Sequence, residues 1–301
     1  MAQSRSLGLD FAAVQSYCEL TKPRVVSLLI FTAMVGMLLA SPARMADIHW
    51  TVILWASIGI ALASGAAAAV NHVVDRQIDG QMKRTHTRPL PNDAISVTGA
   101  LVFATVLMVM SVVVLVVFVN KLTAILTMAG LVGYAGIYTG FLKRRTPQNI
   151  VLGGAAGAIP PVLGWAAVTG HAPMASWVLF LIIFLWTPAH FWPLAIYRSD
   201  DYARVGIPMM PVTRGVRHTS WLILAYTVGT VLATQLPYMI GMAGKPYLVG
   251  ADVLGIGFLY HALRLIYAPD RHNPMRMFGY SIVYLSLLFA VLLADHYMVG
   301  L

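Results

Sequence analysis

The chain has 301 residues, of which 59% are hydrophobic and only 10% are charged, and its mean hydropathy is +0.76. Such a composition excludes a water-soluble globular protein of this length and predicts a protein that lies in a bilayer. The net charge of +9 is spread over many loops rather than gathered in one patch, so it does not indicate nucleic-acid binding, and the single cysteine excludes a disulfide framework.

Nine segments with few formal charges are long enough to cross about 30 Å of hydrocarbon. They lie near residues 25–41, 51–71, 96–119, 122–141, 149–169, 176–197, 219–241, 247–265 and 278–296. We therefore predict an all-α integral membrane protein with a single polytopic domain over residues 1–301. Residues 1–23 would form a cytoplasmic N-terminal segment, and residues 24–297 would form the nine-helix core.

The positive charges predict how these spans are oriented. If the N-terminus is cytoplasmic, seventeen Lys and Arg residues fall on that side, and only Arg44, Lys121 and Lys245 fall on the other. Because cytoplasmic loops carry an excess of Lys and Arg, the C-terminus is expected on the opposite side. The N-terminal segment has no signal-peptide core, and Asp10 and Glu19 make it a poor organellar transit peptide, so a bacterial cytoplasmic membrane is expected.

The end of the second predicted span carries the most informative pattern. Asn71, Asp75 and Asp79 are spaced four residues apart, so their side chains would share one face of a helix. Mg²⁺ typically binds one or two carboxylates together with phosphate oxygens. We predict that these three residues are catalytic and hold Mg²⁺, because ionisable groups at a membrane edge are too costly for a merely solvated helix end. The basic residues behind them are candidate diphosphate ligands: Lys83, Arg84 and Arg88.

A second acidic motif follows the sixth predicted span on the same side of the membrane. Asp200 and Asp201 are flanked by Arg198 and Arg204. Facing the first motif across a cavity, the two aspartates would hold a second cation on the same diphosphate, and the arginines would bind phosphate. Alternatively, the aspartates solvate a loop and pair with the nearby arginines.

The region between the two motifs predicts a phosphate clamp beside a cavity. Lys143 begins a run of three cations after the fourth span and is a candidate diphosphate ligand, although such runs are also typical topology determinants. In the next span, closely spaced glycines precede Pro160–Pro161, a pattern typical of broken helices that line cavities. His190, about 12 Å below Arg198, is either a functional imidazole or a hydrogen-bonded core residue.

These groups favour chemistry on a prenyl diphosphate. Mg²⁺ and the basic side chains neutralise the charge that develops on a departing diphosphate. An allylic prenyl group would then ionise to a stabilised cation, with its tail in an apolar cavity from which water is restricted.

Three segments resemble the UbiA superfamily of intramembrane prenyltransferases: NHVVDRQIDGQMKRTHTRPLP from Asn71, YTGFLKRRTPQNIVLGGAAGAIPPVLGW from Tyr138, and WTPAHFWPLAIYRSDDYARVGIPMMPV from Trp186. The resemblance extends from about residue 20 to 295. Within it, the motifs RTHTRPLP, PAHFW and DDYARVGIPMMPV point to the haem-modifying branch of the superfamily. It implies a nine-helix UbiA-type bundle that transfers farnesyl from farnesyl diphosphate to a vinyl group of haem B, with addition of water.

The resemblance also implies roles for individual residues. It places Mg²⁺ and diphosphate at Asn71, Asp75 and Asp79, and it puts Asp200 and Asp201 in the second aspartate-rich region. Where quinone-type relatives begin that region with another aspartate, this chain has Arg198, which would contact a phosphate or a haem propionate instead. Residues expected near the haem acceptor are His86, Tyr138, Trp186 and His190, and His72 is a further candidate ligand.

Two other functions remain open from sequence. One is a UbiA-type enzyme that prenylates an aromatic precursor of quinones or chlorophyll, and the other is a transporter or assembly factor for haem or lipid. Transporters also use broken helices and ionisable residues, but they place them near the midplane, whereas these carboxylates lie at one face. The expected partners are farnesyl diphosphate, haem B and membrane lipid, with a haem A synthase or terminal oxidase assembly partner downstream.

Overall fold

The computed structural model describes residues 11–82 and 85–299, and over these residues the regular structure is helical. In chain order the helices are α1 (Phe11–Leu20), α2 (Pro23–Ala40), α3 (Trp50–Asp79), α4 (Val97–Phe118), α5 (Lys121–Val132), α6 (Asn149–Ala158), α7 (Pro160–Thr169), α8 (Met174–Tyr197), α9 (Ser199–Arg204), α10 (Met210–Ala233), α11 (Leu236–Met239), α12 (Lys245–Tyr267) and α13 (Asn273–Val299). The predicted all-α class is confirmed for the described residues.

Nine segments of the described chain are long and apolar enough to cross a membrane, as predicted. Most of them begin and end within a few residues of the predicted bounds. Two differ more, because α3 continues to Asp79 and α10 begins as early as Met210. Hydropathy marks only the apolar part of a helix, whereas the backbone hydrogen bonds continue into the polar residues of the motif.

The N-terminal segment, predicted only as a cytoplasmic extension, contains a helix in its described part. Leu20 at the end of α1 is fully buried and belongs to one apolar cluster with Ala69, Leu90 and Ala100. These contacts join α1 to α3, to the loop after α3 and to α4.

The fourth and fifth spans are irregular. After α5 the fourth span continues as a π-helical stretch, Gly133–Thr139. The fifth span breaks between α6 and α7 at Pro160, because proline lacks an N–H donor and its ring clashes with the preceding turn. The break confirms the prediction made from the Pro160–Pro161 pair.

Where α2 crosses α7, the two backbones are in contact. A Cβ atom at Gly164 would lie 2.0 Å from the carbonyl oxygen of Ala33, and one at Gly36 would lie 2.2 Å from the carbonyl oxygen of Pro161. Small residues permit this close approach between membrane helices. The crossing therefore requires glycine at both positions.

The last span contacts the first. The hydroxyl of Tyr297 donates a hydrogen bond to the carbonyl oxygen of Leu38 at 3.0 Å, and Nε2 of His296 lies 3.2 Å from the carbonyl oxygen of Ser41. In the second half of the chain, α8 packs against α6, α10 and α13. The spans thus form a bundle in which the polar end of α3 is surrounded by other elements.

Candidate active site

The end of α3 buries three polar side chains on one helical face, as the four-residue spacing predicts. Asn71, Asp75 and Asp79 are only 4%, 1% and 4% exposed. Asn71 Nδ2 donates to Asp75 Oδ2 at 2.8 Å and to the hydroxyl of Thr139 at 3.3 Å. The motif is therefore a buried polar network that includes the π-helical stretch, rather than a solvated helix end.

Two of the predicted phosphate-binding cations lie directly on the carboxylates. Lys143 Nζ is 2.5 Å from Asp75 Oδ2, and Arg88 Nη1 is 2.6 Å from Asp79 Oδ2. The buried Asn149 donates to the backbone carbonyl oxygen of Lys143 at 3.1 Å, which holds the loop after the π-helical stretch in place. Contacts between charged partners of this kind are among the stronger hydrogen bonds in proteins.

Lys22 is a third cation at this site, a position that no motif in the sequence indicates. Its Nζ donates a hydrogen bond to Oδ1 of Asn71. Its backbone adopts the left-handed conformation, with φ 51° and ψ 62°, which is uncommon for a residue other than glycine. Burial, with the nearby Arg88 and Lys143 cations, lowers the pKa of Lys22 to about 7.

An apolar cavity of about 160 Å³ opens beside Lys22. Five helices contribute to the wall, and small residues of α3 create much of the room. Its lining includes Val26, Leu29, Ala63, Ser64, Ala67, Ala68, Gly130, Leu131, Tyr134, Gly157 and Leu163. A hydrocarbon chain can therefore lie inside the bundle with its polar head at Lys22.

The second acidic motif is arranged differently from the first. Asp201 Oδ2 lies 3.6 Å from Arg198 Nη1, and Asp201 Oδ1 lies 3.8 Å from Arg204 Nη1. These distances fit the alternative in which the aspartates of this motif pair with the nearby arginines. Asp200 lines a separate open cavity with Asp270 and other residues of the loop before α13.

In the part of the chain that the structure describes, no three His, Cys, Asp or Glu side chains form a group that could hold a metal ion. The donor set on α3, an amide oxygen with two carboxylates, nevertheless has the hard oxygen chemistry that suits Mg²⁺ completed by phosphate oxygens. A role for Asp200 and Asp201 in metal binding stays a prediction.

His190 and Trp186 join α8 to α13. Nδ1 of His190 lies 2.7 Å from the hydroxyl of Ser281, and the imidazole is stacked between Trp186 and Phe278 at centroid distances of 4.2 and 4.6 Å. The indole of Trp186 donates to the carbonyl oxygen of Ser281 at 2.9 Å. These contacts fit the alternative of a hydrogen-bonded core histidine, and a contact with haem stays a prediction.

The remaining predicted residues are dispersed. Tyr138 stacks on Tyr134 at 5.5 Å, and its ring lies so close to Gly153 that a Cβ atom there would be 2.3 Å from a ring carbon. His86 is exposed in the loop after α3, whereas His72 is buried and has no hydrogen-bond partner among the described residues. Lys83 and Arg84 lie outside the described residues.

Comparison with known proteins identifies relatives over nearly the whole chain. Residues 29–291 match the model of the UbiA prenyltransferase family. A protein of Marinobacter nauticus named protoheme IX farnesyltransferase is 56% identical over 94% of this chain and 93% of its own length. A protein of Pseudoalteromonas atlantica named protoheme IX farnesyltransferase 2 is 55% identical over 94% of this chain and 92% of its own length.

Solved structures share the fold at much lower identity. A structure of digeranylgeranylglyceryl phosphate synthase superposes with a TM-score of 0.80 at 18% identity, over 95% of this chain and 99% of that chain. A UbiA homologue from Archaeoglobus fulgidus bound to DMAPP and Mg²⁺ superposes with a TM-score of 0.61 at 15% identity, over 92% of this chain and 99% of that chain. Together with the buried polar motif on α3, these relations show that the chain belongs to the UbiA prenyltransferase family.

Proposed function

We propose that this chain transfers the farnesyl group of farnesyl diphosphate to a vinyl group of haem B in the bacterial cytoplasmic membrane. The observation that carries the proposal is the buried face of Asn71, Asp75 and Asp79, which meets three cations at the polar end of an apolar cavity. A prenyl diphosphate has the matching shape and charge, with a polyanionic head and an apolar tail. The bacterial relatives named protoheme IX farnesyltransferase support haem as the acceptor.

Some residues of the site would bind the metal ion, and others would bind the diphosphate. Asn71, Asp75 and Asp79 would hold Mg²⁺, which when bound neutralises charge on the leaving diphosphate. Arg88 and Lys143, which pair with the carboxylates in this structure, would turn to phosphate oxygens. Further phosphate contacts are assigned to Lys22, Arg198 and Arg204, and the sequence motif alone assigns such contacts to Lys83 and Arg84.

The cavity would serve the prenyl group. Its apolar wall holds the tail and restricts water, which would otherwise capture an allylic cation before the acceptor does. The haem would approach the cation along the aromatic and imidazole side chains that the sequence predicts for the acceptor. We assign this side of the site to His86, Tyr138, Trp186 and His190.

The second acidic motif would bind a second cation. We assign that cation to Asp200 and Asp201.

Reconstitution tests this function. Purified protein in lipid vesicles, supplied with haem B, farnesyl diphosphate and Mg²⁺, is expected to form a haem whose mass rises by one farnesyl group and one hydroxyl group, while the remaining proton of water is released with the diphosphate. EDTA is expected to stop the reaction and excess Mg²⁺ to restore it. A prenylated aromatic acid in place of the haem product would favour the aromatic-acceptor alternative, and uptake of unmodified haem without diphosphate release would favour a transporter.

A further inference from the structure

An apolar surface groove lies next to the interior cavity, on the side of the bundle that faces lipid. This groove between α4 and α5 has a volume of about 380 Å³ and only apolar lining atoms. Val109, Val113 and Val132 on its walls are 52%, 52% and 58% exposed, so the groove faces the surrounding lipid. Leu131 lines both the groove and the interior cavity, and its side chain therefore separates the two spaces.

The wall around Leu131 is thin. On one side of it in the chain, a Cβ atom at Gly130 would have one heavy atom within 4 Å, from Ile159 at 3.5 Å. On the other side, a Cβ atom at Gly133 would have none among the described residues. Since both glycines lack side chains, Leu131 is the large side chain that fills this part of the wall.

Leu131 also lies at a defined depth below the polar site. Thr139 accepts a hydrogen bond from Asn71, so the two residues lie at the same level. Leu131 comes eight residues before Thr139. At the α-helical rise of 1.5 Å per residue this would be about 12 Å along the span, and the distance is somewhat shorter because residues Gly133–Thr139 are π-helical. A prenyl chain whose head lies at Asn71 therefore reaches Leu131 with its distal isoprene units.

We propose that Leu131 sets the length of the prenyl chain that this protein accepts. This inference rests on the proposed function and adds a specificity-determining residue to it. The tail of farnesyl diphosphate ends against Leu131 inside the bundle. A chain one isoprene unit longer has to displace Leu131 and place its distal end in the groove between α4 and α5, so we expect the longer donor to react more slowly.

Leu131→Ala opens the wall, and the test is the ratio of kcat/KM for geranylgeranyl diphosphate to kcat/KM for farnesyl diphosphate. We expect this ratio to rise by roughly tenfold or more, since contacts of even one methylene in an apolar pocket change selectivity by ~10–200-fold. Leu131→Phe is expected to change the preference in the opposite direction, towards geranyl diphosphate. Leu131→Val provides a milder opening if the alanine variant is poorly folded.

Leu126→Ala is the matched control, because Leu126 lies on the same helix, packs into the core and lines neither space. Its ratio is expected to equal that of the unmodified protein. Identical ratios in Leu131→Ala, Leu131→Val and Leu126→Ala would overturn the inference. If the unmodified protein forms no farnesylated haem but prenylates another acceptor, the proposed function fails while the donor ratio still tests Leu131.

Discussion

At the residue scale, Asp75 is the centre of the polar network on α3. It accepts hydrogen bonds from Asn71 at 2.8 Å and from Lys143 at 2.5 Å, and it is almost fully buried. Burial of a carboxylate is costly unless charged and hydrogen-bonding partners compensate for it. The two neighbours provide this compensation in the folded protein, and Mg²⁺ would do so during the reaction.

Asp75→Asn keeps the size of the side chain but removes the negative charge. We expect the rate of farnesyl transfer to fall by at least ~10²–10³-fold, the typical effect of losing one group that stabilises developing charge. The assay is formation of farnesylated haem by the reconstituted protein. The control is Asp252→Asn, because Asp252 accepts a hydrogen bond from Gln235 at 3.1 Å outside the motif. A variant at Asp75 that is as active as this control would contradict the metal role.

Lys22→Met removes the cation that contacts Asn71. A hydrogen bond to a charged group contributes about 1.5–3 kcal/mol, so we expect KM for the prenyl diphosphate to rise about tenfold or more. Lys22→Arg should recover most of the affinity. Lys245 is a matched control, since it also precedes a proline at the start of a span and lies outside the site. Equal KM values for Lys22→Met and Lys245→Met would show that Lys22 does not bind the diphosphate.

At the scale of elements, the crossing of α2 and α7 leaves no room for a larger side chain at Gly36 or Gly164. The atom that a Cβ at Gly164 would meet is a backbone oxygen, which cannot rotate away. Any added carbon must therefore separate the two helices.

Gly164→Ala is expected to destabilise the protein by roughly 1–3 kcal/mol, the usual cost of overpacking. The melting temperature in detergent, followed by fluorescence-detected size exclusion, measures this loss. Gly279→Ala is the control, because a Cβ atom at that position has no described heavy atom within 4 Å. A melting temperature for Gly164→Ala as high as that of Gly279→Ala would show that the crossing adjusts at little cost.

The elements also show which parts of the site the sequence predicts. The helical period places Asn71, Asp75 and Asp79 on one face wherever a helix forms, so their alignment follows from local spacing alone. The hydrogen-bond partners of these residues do not follow from local spacing. Thr139 reaches Asn71 from a π-helical stretch, and local hydropathy contains no signal for that irregularity.

At the scale of the whole molecule, the nine spans found within residues 11–82 and 85–299 and the distribution of Lys and Arg predict an N-terminus in the cytoplasm and a C-terminus on the other side. Alkaline phosphatase fused after Leu301 should therefore be active in a bacterial host, whereas green fluorescent protein fused there should be dark. The same reporters inserted in the loop between α9 and α10 should give the reverse result. A fluorescent C-terminal fusion would require an even number of spans or the opposite orientation.

The amino-acid sequence by itself determined the membrane class, the nine spans and the helical face of the first motif. These features depend on composition and on the short periods of helices, which are local properties of the chain. Only the tertiary structure decided which groups meet. Lys22 contacts Asn71 across 49 positions in the chain, Asp200 turns to a separate cavity, and Leu131 stands between two apolar spaces. Such contacts depend on how helices distant in the chain pack together, and no local pattern encodes that arrangement.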